Sequence, residues 1–157
     1  MALEIRRATS DDIPLLHGLI LKLAEYERLS HEVSATEHDL RDALFGPRPV
    51  CDALIAFVAG EPAGYALYFE TYSTFRGKRG IFLEDLFVEP EHRGKGIGAA
   101  LLKHVAQVAF DLGGWLQWLV LDWNESGIAF YQRLGAGKVD DWLFYRLEGE
   151  ALARLAR

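Results

Sequence analysis

Three glycines alternate with larger residues in Arg93-Gly94-Lys95-Gly96-Ile97-Gly98, and this turn separates two apolar segments of different character. Upstream, Ile81 to Val88 has the composition of a strand buried within a sheet. Downstream, from about Gly98, an amphipathic pattern runs to Gly113-Gly114 and predicts a long helix. Trp115 to Leu121 reads as a further strand. Strand, tight turn, helix and strand make one parallel crossover, which restricts the chain to a mixed α/β fold. A glycine turn at a helix start leaves several backbone N–H groups unpaired at the positive end of the helix dipole. Without Cβ atoms the backbone can close on a bulky anion. The motif predicts a phosphate or pyrophosphate ligand.

The remaining elements fit around this unit. Leu3 to Ala8 predicts a first strand, and Ser10 an N-cap with Asp11 and Asp12 in the first helical turn. Leu16, Leu19, Ile20, Leu23 and Ala24 recur at helical spacing to about Glu27. Thr36-Glu37-His38-Asp39 resembles a capping box, opening a short helix that ends near Phe45 before Gly46-Pro47. Ala53 to Ala59 and Ala63 to Thr71 predict a hairpin about Gly60-Glu61-Pro62, and Ser73 to Arg79 a loop. Ser126 to Leu134 predicts a helix stopped by Gly135. Lys138 to Asp141 and Leu143 to Leu147 have extended character, and Glu150 to Arg157 predicts a terminal helical turn. No repeat, low-complexity segment or linker interrupts residues 1–157, so one domain is expected.

Composition narrows the partners. The formal net charge is -6, which argues against nucleic acid, where affinity comes from Lys and Arg neutralising phosphates. That balance suits a cationic small substrate. No apolar run reaches a membrane span, and the N-terminus leads straight into a strand pattern. Cys51, the single cysteine, excludes an internal disulfide and is compatible with a reducing cytoplasm. His17, His31, His38, His92 and His104 show no metal-ligand spacing, so no metal is expected.

The glycine turn admits more than one reading. Gly94-Lys95-Gly96-Ile97-Gly98-Ala99 satisfies the dinucleotide fingerprint, with Asp122 onward. That fingerprint normally sits in the first strand–helix unit of a doubly wound sheet, and too little chain follows here to build the second half. A merely tight turn does not require three alternating glycines after a basic residue.

The loop from Arg93 to Gly98 also resembles the acyl-CoA loop of the GNAT N-acetyltransferase superfamily. Leu83-Glu84-Asp85-Leu86-Phe87-Val88 resembles that superfamily's central strand. Asp122-Trp123-Asn124, Phe130-Tyr131 and Leu134-Gly135-Ala136 resemble its last block. Within it, the chain is most similar to the diamine acetyltransferases, with Tyr26-Glu27 also in place. Tyr72-Ser73-Thr74-Phe75-Arg76-Gly77 looks like the thialysine branch: the polyamine branch carries an acid where Ser73 stands and a Trp where Phe75 stands.

The resemblance implies an α/β (α+β) GNAT fold, a twisted sheet of about seven strands flanked by about four helices. It implies acetyl-CoA as cofactor and, as acceptor, the primary amine of a small cationic molecule (a diamine, a polyamine or a lysine- or thialysine-like amine) that attacks directly in a ternary complex. Arg93, Gly94, Lys95, Gly96, Ile97, Gly98 and Ala99 would grip the pyrophosphate. Leu86, Phe87 and Val88 would pair with the pantetheine arm, opposite Gln117 to Leu119 on a strand that splays away, and Asn124 and Ser126 would complete the cofactor set. Asn124 would cap its helix, bind the cofactor, or both.

Chemistry suggests the remaining roles. Glu84 is the candidate base, through a water. Adjacent strand residues face opposite sides, so Glu84 and Asp85 share one job only if a bulge intervenes. The N–H of Leu86 or Phe87 is the candidate oxyanion donor. Tyr131 is the candidate acid for the departing thiolate, since a phenol near ~10 and a thiol near ~8.5 need only a modest local shift. Tyr26, Glu27, Glu84, Asp85, Phe75 and Asp140 are the candidate acceptor-binding residues, the aromatics through cation–π faces. Acetylation of a peptide or protein amine and noncatalytic acyl-CoA binding are the competing functions. A homodimer is a further implication of the resemblance.

Overall fold

The computed structural model describes residues 2–157. They divide into two compact units, one running through Leu119 and the other from Val120 to Arg157. The first holds β1 (Leu3–Arg7), α1 (Ile13–Tyr26), α2 (Glu37–Phe45), β2 (Asp52–Val58), β3 (Glu61–Ser73), β4 (Lys78–Val88), α3 (Ile97–Asp111) and β5 (Leu116–Trp118). The sheet order is β1-β2-β3-β4-β5. Its pairs are antiparallel except β4 with β5, which are parallel. The crossover expected from the glycine turn is therefore present. Short 3-10 turns sit at Ser10–Asp12, Ser30–Glu32 and Pro90–His92.

Helix α1 presents Ile13, Leu16, Leu19 and Leu23 to Ile55, Tyr65, Leu67 and Phe87 of the sheet, with Leu44 of α2 in the same cluster. Full burial of each aliphatic side chain contributes about 1.5–3 kcal/mol. Helix α3 lies against β3 and β4, burying Ile97, Leu101 and Val105. Two glycines of the sheet are required by close approach. A Cβ at Gly64 would stand 2.4 Å from the Phe87 carbonyl oxygen, and one at Gly80 would stand 2.3 Å from the Trp115 ring.

Several expectations change. Ser10 does not cap α1. Instead the Thr9 N–H donates to Asp12 Oδ2 at 2.7 Å, and Arg6 binds both oxygens of Asp12, so a 3-10 turn precedes the α-helix. The Arg6 pairing holds the Asp12 carboxyl down at about 2. The capping box is as expected, with the Thr36 hydroxyl accepting from the Asp39 N–H at 3.2 Å. The loop expected from Ser73 to Arg79 shrinks, because β3 and β4 pair out to Ser73↔Lys78. Exposed residues at this tip leave no hydrophobic alternation to read.

The strand expected from Trp115 to Leu121 is only Leu116–Trp118. In the second unit, α4 (Glu125–Arg133) and α5 (Gly149–Ala156) form. Lys138–Asp141 and Leu143–Leu147 join no ladder among the described residues. Among the described residues the sheet thus has five strands rather than about seven, and there are five α-helices rather than about four. Extended composition becomes a strand only where a partner takes its backbone groups. Among the described residues no helix is long and apolar enough to cross a membrane.

Candidate active site

Strand β4 supplies most of the site in the first unit. Its ladder with β5 runs from Ile81↔Leu116 to Leu83↔Trp118 and stops. From Glu84 to Val88, β4 pairs only with β3 among the described residues. The Glu89 N–H donates to the Ala63 carbonyl at 2.8 Å, which sets the phase of the antiparallel ladder. Phe87 therefore directs its amide and carbonyl to Tyr65, while Leu86 and Val88 direct theirs to the open edge. Of the two amides expected as oxyanion donors, Phe87's is engaged by β3 and Leu86's lies on the open edge. The Val88 carbonyl accepts from Arg93 Nε at 2.8 Å.

A β-bulge stands where this edge opens. Leu67 faces Asp85 and Tyr68 faces Leu83, leaving Glu84 as the extra residue of β4. The condition for Glu84 and Asp85 to work together is met, because a bulge breaks strict alternation. The Asp85 carboxylate accepts a hydrogen bond from the Tyr65 hydroxyl at 2.9 Å. Burial, with the nearby charges of Glu84 and Glu27, pushes the Asp85 carboxyl up to about 6, against the pull of the Tyr65 hydrogen bond. Glu27, half-buried at the end of α1, is also raised, first by burial and then by Glu84. Glu84 itself is exposed. Glu27, Glu84 and Asp85 thus share one electrostatic environment, with Tyr65 beneath it. Tyr65 was not among the sequence candidates; its period-two alternation with Leu67 is an ordinary core pattern.

The glycine turn has the backbone its sequence requires. Gly94 and Gly96 have φ of +75° and +81°, conformations that only glycine adopts without strain. A Cβ built on either would meet no protein atom within 4 Å, so the space over both is open. Helix α3 begins at Ile97 with no side-chain cap and no acid in its first turn. At this end of the helix the Ala100 N–H donates to the Gly96 carbonyl at 3.0 Å. The Ile97, Gly98 and Ala99 amides precede that bond, and Lys95 is exposed beside them. Uncapped amides and an open glycine backbone fit a pyrophosphate.

Arg93, exposed at the head of the turn, also packs within the protein. Its guanidinium carbon lies 4.9 Å from the Tyr26 ring centroid and 5.6 Å from that of Phe87. It braces β4, α1 and the turn. Lys22 ties α1 to Glu89 just beyond β4 in the same way. Phe75 is fully exposed at the β3–β4 tip, six ladder steps from Asp85, so the structure does not bring it to the acids.

In the second unit, Asn124 caps α4 by accepting from the Gly127 N–H at 3.1 Å. The Ser126 hydroxyl donates to the same Asn124 oxygen at 3.4 Å. Tyr131 lies on α4 with its ring edge-on to Phe130, centroids 5.3 Å apart. Asp140 is exposed and pairs with Lys138 at 3.3 Å.

The model of the acetyltransferase (GNAT) family matches residues 20–136, including the glycine turn, the bulge and α4. The chain belongs to the GNAT acetyltransferase family. A thialysine N-epsilon-acetyltransferase of Bos taurus is 43% identical to it, over 97% of this chain and 96% of the relative. An L-ornithine N5-acetyltransferase of Arabidopsis thaliana is 33% identical, over 95% of this chain and 86% of the relative. Among solved structures, an integron cassette protein from the mobile metagenome of V. cholerae superposes with a TM-score of 0.83 at 28% identity, covering 100% of this chain and 99% of that one. The GNAT resemblance read from the sequence is thus confirmed, the fold is the GNAT fold, and the chain is an enzyme. In this GNAT chain, the end of the β4–β5 ladder, the bulge and the glycine turn all fall within one unit.

Proposed function

We propose that this enzyme transfers the acetyl group of acetyl-CoA to a primary amine of a small cationic acceptor, by direct attack in a ternary complex. The observation that carries the reading is the Glu84 bulge: it sets Glu84 and Asp85 side by side where β4 leaves β5, on the strand that leads into the open glycine turn. Relatives named as thialysine and ornithine acetyltransferases support a lysine-like amine as acceptor.

When bound, acetyl-CoA supplies the acetyl group as an activated thioester. The amides of Ile97, Gly98 and Ala99 hold its pyrophosphate, with Gly94 and Gly96 giving clearance and Lys95 adding charge. Arg93 secures the turn and, being exposed, adds charge beside the pyrophosphate. Leu86 and Val88 offer their edge groups to the pantetheine arm, and the Leu86 N–H is the donor for charge growing on the carbonyl oxygen. Glu84, exposed at the bulge, takes the proton of the acceptor ammonium through a water. Asp85 and Glu27 hold that ammonium by charge. Tyr131 is assigned the return of a proton to sulfur, and Asn124 and Ser126 the completion of the cofactor set, on the family resemblance. The lone cysteine and the resemblance support a cytoplasmic homodimer, with residues 1–157 acting as one catalytic domain.

Thiol release from acetyl-CoA, followed with a panel of lysine, ornithine, short diamines and spermidine, tests the reading. Amine-dependent release with acetylated amine as product is expected. Tight cofactor binding without turnover of any amine would overturn it in favour of a noncatalytic module.

A further inference from the structure

In the second unit, the segment between α4 and α5 carries apolar side chains that the chain leaves in water. From Ala136 to Glu148 the backbone forms neither helix nor turn and bends once, at Asp141. It joins no ladder among the described residues. Trp142, Leu143, Phe144 and Tyr145 are between 67% and 86% exposed. Consecutive large apolar groups in water mark a surface that a partner covers. An unpaired extended segment also holds its N–H and C=O groups open to a neighbouring strand. The Arg146 guanidinium carbon lies 5.7 Å from the Phe144 ring centroid. Residues two apart share a side there, which is the period of a strand.

The order of these residues identifies the partner. Outward from Leu143, opposite positions match: Trp142 with Phe144, Asp141 with Tyr145, Asp140 with Arg146, Val139 with Leu147 and Lys138 with Glu148. Aromatic meets aromatic, phenol meets carboxylate, aliphatic meets aliphatic, and both charge pairs have opposite signs. Antiparallel neighbours across a ladder are stabilised by such pairs. A two-fold axis through Leu143 supplies each pair twice. One chain folding back on itself would make the same matches, but its turn would have to be Trp142-Leu143-Phe144, where hairpins take Gly, Asn or Asp. The partner is therefore a second copy. The Lys138–Asp140 pair at 3.3 Å, with both side chains at least 73% exposed, is weak enough to be exchanged for the new contacts.

We propose that residues 138–148 of two copies pair antiparallel about Leu143 and that this two-stranded contact is the interface between them. Pairing draws the bend at Asp141 straight, engages backbone groups that no ladder uses and brings the aromatic run of one copy against that of the other. The proposal rests on the homodimer named under the reading above and adds its contact segment and register.

Disulfide cross-linking reads the register. In a Cys51→Ser background, Leu143→Cys should give a covalent dimer on mild oxidation, because facing residues have Cα atoms about 4.5–5.5 Å apart, within disulfide reach. Tyr145→Cys should not, since its two copies stand four residues apart along the strands, roughly 13 Å. Charge exchange reads the pairing. By sedimentation, Asp140→Arg and Arg146→Asp should each raise the dimer dissociation constant roughly tenfold or more, since each sets like charges at both copies of one pair. Mixing the two variants restores opposite signs and should recover a heterodimer near the wild-type affinity, which a contact within one chain cannot do. Should Leu143→Cys fail to fold, the charge exchange decides alone. Cross-linking through both cysteines alike or through neither, or a mixture that stays dissociated, would overturn the proposal while a wild-type dimer upholds the homodimer. A wild-type chain that sediments as a monomer at every concentration would overturn both.

Discussion

The Tyr65 hydroxyl donates to Asp85 Oδ2 at 2.9 Å from a side chain with no solvent exposure. This bond reaches out of the core to a carboxyl of the site that burial drives toward neutrality. Asp85 has a folded-state value of about 6 against an ordinary 3.8. A carboxyl raised on folding favours the native state while it is protonated, and that contribution is lost as pH rises through about 6. Asp85→Asn, which keeps an acceptor for Tyr65, should therefore stabilise the protein by ~1–3 kcal/mol at pH 8. The gain should vanish below about pH 4. Urea unfolding of both proteins across this range checks it. A pH-independent difference would mean that Asp85 does not carry the shift.

Glu84 stands at the bulge with its side chain exposed, so its neutralisation should leave the fold intact. Glu84→Gln should lower kcat by roughly two orders of magnitude, the scale of general base catalysis, without altering coenzyme A affinity. An unchanged rate would move the base elsewhere among the three acids.

Much of this site is legible in the sequence. Gly94 and Gly96 announce their positive φ because no other residue holds it cheaply, and the apolar flanks of the turn place it between strand and helix. The bulge at Glu84 is not legible. A period-two reading sends Glu84 and Asp85 to opposite faces, and only the register against Leu67 and Tyr68 shows otherwise. Arg93 reads as a phosphate ligand because its charge is visible and its stacking on Tyr26 and Phe87 is not. The segments 138–141 and 143–147 have strand composition, but strand formation depends on a partner that composition cannot name.

Tyr131 is assigned a single proton transfer, so its loss should appear in one constant. Tyr131→Phe keeps the ring that packs against Phe130 and removes only the hydroxyl. Turnover should fall by one or more orders of magnitude while cofactor affinity stays within a few-fold. Parallel loss of binding and rate would instead make Tyr131 part of the cofactor pocket.

Gly96 provides the sharpest check on the phosphate cradle, because the chain contains its own control. Gly96 and Gly60 have nearly the same φ, +81° and +83°, and a Cβ at either meets no protein atom within 4 Å. Alanine at each position must adopt the left-handed conformation, at a cost of about 1–2 kcal/mol. Their thermal stabilities should fall by similar amounts. Coenzyme A affinity measured by calorimetry should fall for Gly96→Ala alone, since its new methyl group enters the space assigned to the pyrophosphate while Gly60 lies in the β2–β3 turn. Equal affinities for the two variants would show that strain accounts for everything the glycine does, and the amides of α3 would lose their assigned ligand.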